Sequence, residues 1–177
     1  MHTGNLPHLP QHDAAIRPVA VDDVTALKAV IDETGLFPSH LLDGMLAAYL
    51  ADAATDDVWL TISLQRPVAL AYCAPEPLTQ GTWNLYLIAV HPDHQGQGHG
   101  AALVQHLETL LTNRGARILL VETSGLPSFE RTRMFYLKAG YVEEARISEF
   151  YQAGEDKVIF RKALSKRSIE PSMVTLS

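Results

Sequence analysis

Val90-His91-Pro92-Asp93-His94-Gln95-Gly96-Gln97-Gly98-His99-Gly100 lies between an apolar run, Trp83 to Val90, and a stretch from Ala101 whose Leu103, Leu107, Leu110 and Leu111 share one helical face. Strand, glycine loop and helix in that order make a backbone anion site. Glycines let successive amides point at one oxygen cluster, and the helix N-terminus adds its partial positive charge. A diphosphate suits such a seat. Glycines also make tight turns for steric reasons alone, so the loop takes its meaning from what surrounds it.

Two nucleotide signatures compete for the same stretch. A Walker A loop needs a Gly-Lys-Ser/Thr step, and no lysine lies between Lys28 and Lys138. The dinucleotide fingerprint is closer, because Gly96-x-Gly98-x-x-Ala101 satisfies it and Glu122 ends the next apolar run, where a ribose-binding acid would sit. Against it, His91 to Gln95 separate the strand from the first fingerprint glycine, and too little chain follows for further βαβ units.

Outward from the loop, the pattern predicts alternating strands and helices. Upstream, Ala15 to Val21 reads as a short strand and Asp22 as the N-cap of a helix, with a second helix over Ser39 to Ala53. Val58 to Leu64 and Val68 to Cys73 form a hairpin around Gln65-Arg66-Pro67, and Trp83 to Val90 reads as a strand buried on both faces. Downstream, Asn113-Arg114-Gly115 stops the helix, Ile118 to Val121 makes a strand ending in Glu122, and a helix from about Phe129 stops at Gly140. Tyr141 to Phe150 and Lys157 to Lys162 close the fold as two strands. Residues 1–14 read as a flexible leader, 15–164 as one domain and 165–177 as a frayed tail.

A chain of 177 residues with 47% hydrophobic and 19% charged residues is that of a globular domain. The net charge of -6 repels a phosphate backbone, so nucleic acid is a poor partner, and a phosphate-bearing ligand must be held by local dipoles and a few cations. One cysteine, Cys73, excludes an internal disulfide framework and a cysteine zinc site, and reads as a small buried strand residue. No secretory leader or membrane-length apolar run is present, so the expectation is a cytoplasmic protein that does not engage a membrane. His91, His94, His99 and His106 match no catalytic zinc spacing, and no metal is expected.

The loop resembles the acetyl-CoA loop of the GNAT N-acetyltransferase superfamily, Gln/Arg-x-x-Gly-x-Gly/Ala, at Gln95, Gly98 and Gly100. A second block, Arg131 to Tyr141, resembles that family's later helix, in which an aromatic-Tyr pair precedes Gly-Phe/Tyr. The resemblance spans about Ala15 to Leu164. It implies an α/β GNAT fold, a mixed central sheet splayed between its fourth and fifth strands and flanked by helices on both faces. It also implies acetyl-CoA as cosubstrate, with backbone of Ile88 and Val90 along the pantetheine arm and Gln95, Gly96, Gly98, His99, Gly100 and Ala101 at the pyrophosphate. Arg131 and Arg133 are candidate phosphate cations, and a charged outer helix face explains them equally well. Two departures stand out: Pro127-Ser128-Phe129 replaces the Asn often found at the start of the later helix, and Asn84 stands where some members carry a basic glutamate.

Acetyl transfer needs a neutral amine, yet an alkylamine with a pKa near ~10.4 is almost wholly protonated at neutral pH, so a base or water relay is required. Glu122, at the C-terminal end of the fifth strand, is the candidate base; the competing reading is a carboxylate capping the next loop through Thr123 or Ser124 amides. Tyr136 is the candidate acid, since the family motif puts its hydroxyl near the cofactor sulfur; otherwise it is a core aromatic. The expected reaction is acetyl transfer from acetyl-CoA to a primary amine of a small molecule or peptide, by direct attack in a ternary complex. A non-catalytic acyl-CoA sensor or a dinucleotide-binding domain are the alternatives, and a homodimer is left open.

Overall fold

In a computed structural model that describes residues 15–164, seven strands form one sheet in the order β1-β2-β3-β4-β5-β7-β6. The strands are β1 (Ala15–Pro18), β2 (Val58–Ser63), β3 (Pro67–Pro75), β4 (Thr82–Val90), β5 (Ile118–Ser124), β6 (Val142–Gln152) and β7 (Glu155–Ala163). The helices are α1 (Val24–Thr34), α2 (Leu41–Leu50), α3 (His99–Asn113) and α4 (Glu130–Lys138). The leader and tail expected from the sequence lie outside the described residues.

Each face of the sheet carries its own core, which is why the helices divide between two sides. Leu27, Ile31, Leu42 and Leu46 of α1 and α2 bury against Trp59, Leu70 and Leu87. On the other face, Leu103, Leu107 and Leu111 of α3 pack with Leu60, Cys73, Leu119 and Phe160. Each such aliphatic side chain contributes about 1.5–3 kcal/mol through burial. No helix among the described residues is long and apolar enough to cross a membrane.

The sheet is antiparallel except between β4 and β5, which pair in parallel over Thr82–Leu85 and Ile118–Val121. Beyond that point β4 stays with β3 up to Val90, whereas β5 follows β7 up to Ser124. The two strands therefore part in the middle of the sheet, leaving backbone edges that face each other without pairing.

Three local expectations are corrected. Tyr86 is 50% exposed, so β4 is not buried on both faces. Cys73 pairs with Leu85 and Tyr72 with Leu87, so Tyr86 is an extra residue in a bulge, which turns its ring outward. Asp22 does not cap the first helix; Asp23 instead accepts from Ala20 N–H (2.8 Å) and from Arg17 (2.6 and 2.8 Å), which holds its carboxyl below the usual carboxylate range. The second helix is also shorter than Ser39 to Ala53.

Candidate active site

After β4, Pro92–His94 form a 3-10 turn in which His91 Nδ1 accepts from Asp93 N–H (3.3 Å). The Gln95 side chain donates to the Val90 carbonyl (3.0 Å) and Gln97 to that of Asp93 (3.1 Å), so the loop is tied back onto its strand. Gly96 and Gly98 take φ of 74° and 87°, where a side chain is strained. Helix α3 then starts at His99, and its first N–H groups have no partner within the helix. A cleft of about 520 Å³ runs along this loop. It is lined by all nine residues expected at the cofactor: Ile88, Val90, Gln95, Gly96, Gly98, His99, Gly100, Ala101 and Arg131.

A second cavity, of about 340 Å³, shares Ile88, Thr132 and Tyr136 with the cleft and continues through the splay. Its far wall comes from Tyr86, Glu122, Tyr151 and Glu155, with Leu36 of the α1–α2 connection at the rim. Tyr136 sits at the junction. It is 2% exposed, packed against Phe135, Tyr141 and Phe160, and burial pushes its hydroxyl pKa up. Among the described residues none hydrogen-bonds that hydroxyl.

Glu122 lies within β5, two residues before its end, opposite Ile159. Its carboxylate does not cap the following loop. Oε2 pairs with Lys157 Nζ (2.6 Å), an ammonium that also lies 3.7 Å from the Phe150 ring centroid, and Oε1 accepts from Asn84 Nδ2 (3.5 Å). Asn84 Nδ2 also donates to Glu76 Oε1 (2.9 Å), which takes the Tyr86 hydroxyl as well (2.8 Å).

Arg133 does not line the cleft: its Nη1 donates to the Ser124 and Leu126 carbonyls (2.8 Å each) and so holds the β5–α4 connection. Arg131 lines the cleft and makes no ion pair among the described residues. His91, His94 and His99 stand ring to ring at 5.9 and 6.2 Å, but no three His, Cys, Asp or Glu side chains among the described residues group as metal ligands. Glu76, Tyr86, Lys157 and Tyr151 were not singled out from the sequence. Each lies on a different strand or connection, so no spacing along the chain relates them.

Residues 54–143 match the family model of the acetyltransferase (GNAT) domain. A GNAT-family structure from Desulfovibrio desulfuricans is 31% identical with a TM-score of 0.81, over 86% of this chain and 99% of that one. The chain belongs to the GNAT acetyltransferase family. Two further structures match at identities that speak to the fold alone. The ribosomal-protein-S18-alanine N-acetyltransferase from Escherichia coli is 23% identical (TM-score 0.69; 89% of this chain, 97% of that one). A Salmonella typhimurium protein solved with its cofactor acetyl-CoA is 16% identical (TM-score 0.71; 90% and 99%). No curated protein matches the sequence.

As a GNAT acetyltransferase, the chain uses acetyl-CoA as cosubstrate, and the cleft suits it. Two left-handed glycines and the first turn of a helix border the cleft, and the strands that part beside it leave backbone unpaired between them. Where other GNAT members carry an Asn, Pro127–Phe129 form a 3-10 turn here, with the Phe129 N–H bonded to the Leu126 carbonyl (3.0 Å).

Proposed function

We propose that this protein transfers the acetyl group of acetyl-CoA to a primary amine by direct attack within a ternary complex. The observation that carries the reading is the meeting of two cavities at Tyr136: a glycine-loop cleft on one side and an acidic, aromatic cavity on the other. One holds a diphosphate-bearing cosubstrate, and the other attracts a cation. Simultaneous occupancy of both is what direct transfer requires.

Bound in the cleft, acetyl-CoA supplies an acyl group activated as a thioester. Amides of Gly96, Gly98, His99, Gly100 and Ala101 hold its pyrophosphate, Gln95 braces the loop, and Arg131 adds a cation. Backbone of Ile88 and Val90 serves the pantetheine arm. Tyr136 donates its proton to the departing sulfur, a role compatible with a phenol kept neutral by burial. Glu122 draws the acceptor ammonium in and takes its proton, directly or through water, while Lys157 and Asn84 fix its orientation.

Glu122 and Glu155 on the cavity wall favour a cationic acceptor, either a small amine or a peptide amine. The Escherichia coli neighbour, named for an alanine of ribosomal protein S18, is in keeping with a peptide amine. We place the activity in residues 15–164, in the cytoplasm, without a nucleic-acid or membrane partner.

An acceptor panel of polyamines, amino acids, aminoglycosides and short peptides, read by free thiol released from acetyl-CoA, tests the proposal. Amine-dependent release with a matching N-acetyl product is expected. Thermal stabilisation by acetyl-CoA with transfer to none of these acceptors would favour the sensor reading instead.

A further inference from the structure

The β4 bulge places a tyrosine where regular pairing would not. Tyr86 leaves the β3 ladder, turns out onto the wall of the acceptor cavity beside Glu122 and Tyr136, and is half exposed there. Its hydroxyl is not free: it donates to Glu76 Oε1 at 2.8 Å. Glu76 follows β3 directly, and its backbone N–H bonds to the Thr82 carbonyl (2.9 Å), so the carboxylate is anchored at its base. Asn84, 1% exposed, clamps the same Oε1 from the other side at 2.9 Å. The Asn84 Oδ1 is buried without a partner, which orients the amide by its Nδ2 bonds to the two carboxylates.

The two carboxylates sharing Asn84 differ in their other partners. Glu122 has a lysine ammonium on Oε2, whereas among the described residues Glu76 takes the neutral donors Tyr86 and Asn84 and no cation. A proton arriving at Glu76 therefore displaces no cation.

We infer that Tyr86 and Glu76 form a proton path out of the acceptor cavity, in which the tyrosine hydroxyl takes a proton from the incoming ammonium as it passes its own to the Glu76 carboxylate. One N–H bond of the ammonium breaks and an O–H bond forms on Tyr86; the original Tyr86 O–H breaks and an O–H forms on Glu76 Oε1. An ammonium and a carboxylate become a neutral amine and a neutral acid, and the phenol is unchanged. Tyrosinate never forms, which suits a hydroxyl whose pKa burial and the Glu76 carboxylate push up to about 12. The ionisable groups around the path are Glu76 beyond β3, Tyr72 of β3 (ring centroid 5.7 Å from that of Tyr86), Glu122 of β5, Tyr151 of β6, and Glu155 and Lys157 of β7. This path rests on the amine-transfer reading above and refines it: Glu122 draws the ammonium in, and the proton leaves through Tyr86 to Glu76 instead of to Glu122.

The test compares Tyr86→Phe, Glu76→Gln and the double variant with the wild type, following kcat/KM against pH on the best amine of the acceptor panel. Each single variant should lose about 10- to 100-fold near pH 7, with the loss shrinking as the pH approaches the amine's own pKa. The double variant should be no worse than either single, because both interrupt one path. A loss that is constant with pH, a double variant whose losses multiply, or singles at wild-type rates would overturn the path while leaving amine transfer intact. A wild-type enzyme that acetylates no amine would overturn both. A second readout needs no acceptor: the Tyr86 step in the tyrosine absorbance titration, taken as wild type minus Tyr86→Phe, should move down toward pH 10 in Glu76→Gln. A step that stays in place would overturn the contact itself. An acetyl-CoA thermal shift retained in every variant shows that the fold and the cofactor cleft survive.

Discussion

The cofactor end and the acceptor end of this molecule are built in opposite ways. From Val90 to Ala101 the chain makes its anion seat almost alone: one strand end, one 3-10 turn, two left-handed glycines and one helix start, all contiguous. The acceptor end has no such stretch. Tyr86, Glu122, Tyr151 and Glu155 come from β4, β5, β6 and β7, with Glu76 from the connection after β3, and they meet only because the sheet orders those strands side by side. A site made of backbone amides tolerates change in most side chains, whereas one made of side chains on separate strands can be altered one residue at a time. The difference fits the proposed reading, in which one end serves a fixed cosubstrate and the other a variable acceptor.

The largest expected effect falls on the local end. A Cβ at Gly98 meets nothing within 4 Å, so Gly98→Asp keeps its packing, but it forces a side chain into φ 87° and puts a negative charge in the anion seat. At a hundredfold excess of acetyl-CoA over its Kd, the wild type should gain about 2.7 kcal/mol of stability, and the variant nothing measurable by thermal melt. An undiminished shift would move the seat elsewhere and break the contrast.

Next comes the junction. Tyr136→Phe leaves a buried ring among Phe135, Tyr141 and Phe160 and removes only the hydroxyl. Turnover should fall by about 10²-fold, the low end for lost acid catalysis because a thiolate is a fair leaving group, with the KM for acetyl-CoA little changed. Near-normal turnover in steady-state assays would return Tyr136 to a packing role.

Smaller still is the effect at the distributed end, where Glu122 holds the ammonium whose proton leaves through Tyr86 and Glu76. Glu122→Gln should lower turnover by about tenfold at neutral pH and recover as rising pH deprotonates the acceptor by itself. It also frees Lys157 inside an acidic cavity, so the KM for a cationic acceptor should rise. A pH-rate profile parallel to that of the wild type would make Glu122 a structural partner of Lys157 only.

The smallest change is expected at Arg131, which lines the cleft and makes no ion pair among the described residues. Arg131→Ala should raise the KM for acetyl-CoA by about two- to fivefold, as fits an exposed charge worth under 1 kcal/mol, and the rise should fade in high salt. A loss of tenfold or more would mean that side chains carry the cofactor end too.

The primary sequence by itself determined the order of elements and the glycine loop between β4 and α3. The loop depends on glycines and a helix start that are neighbours along the chain, so their spacing can be read directly, and all nine residues expected at the cofactor line one cleft. Tyr136, a candidate through the Phe135-Tyr136 pair and Gly140-Tyr141 on one helix and its stop, lines both cavities. Glu122 was singled out as a candidate, but not its surroundings: the Lys157 pair arises from the antiparallel pairing of β5 with β7, across 35 residues of chain. Tyr86 looked like one more apolar position in a buried strand, because a bulge is a property of two strands in register and only the β3–β4 pairing reveals it. Glu76 sits between Pro75 and Pro77 in a connection that carries no motif, and only the return of β4 beside it brings Asn84 and Tyr86 onto its carboxylate. Local backbone chemistry is written in consecutive residues, whereas the acceptor cavity is decided by sheet register, which long-range pairing sets and no single stretch contains.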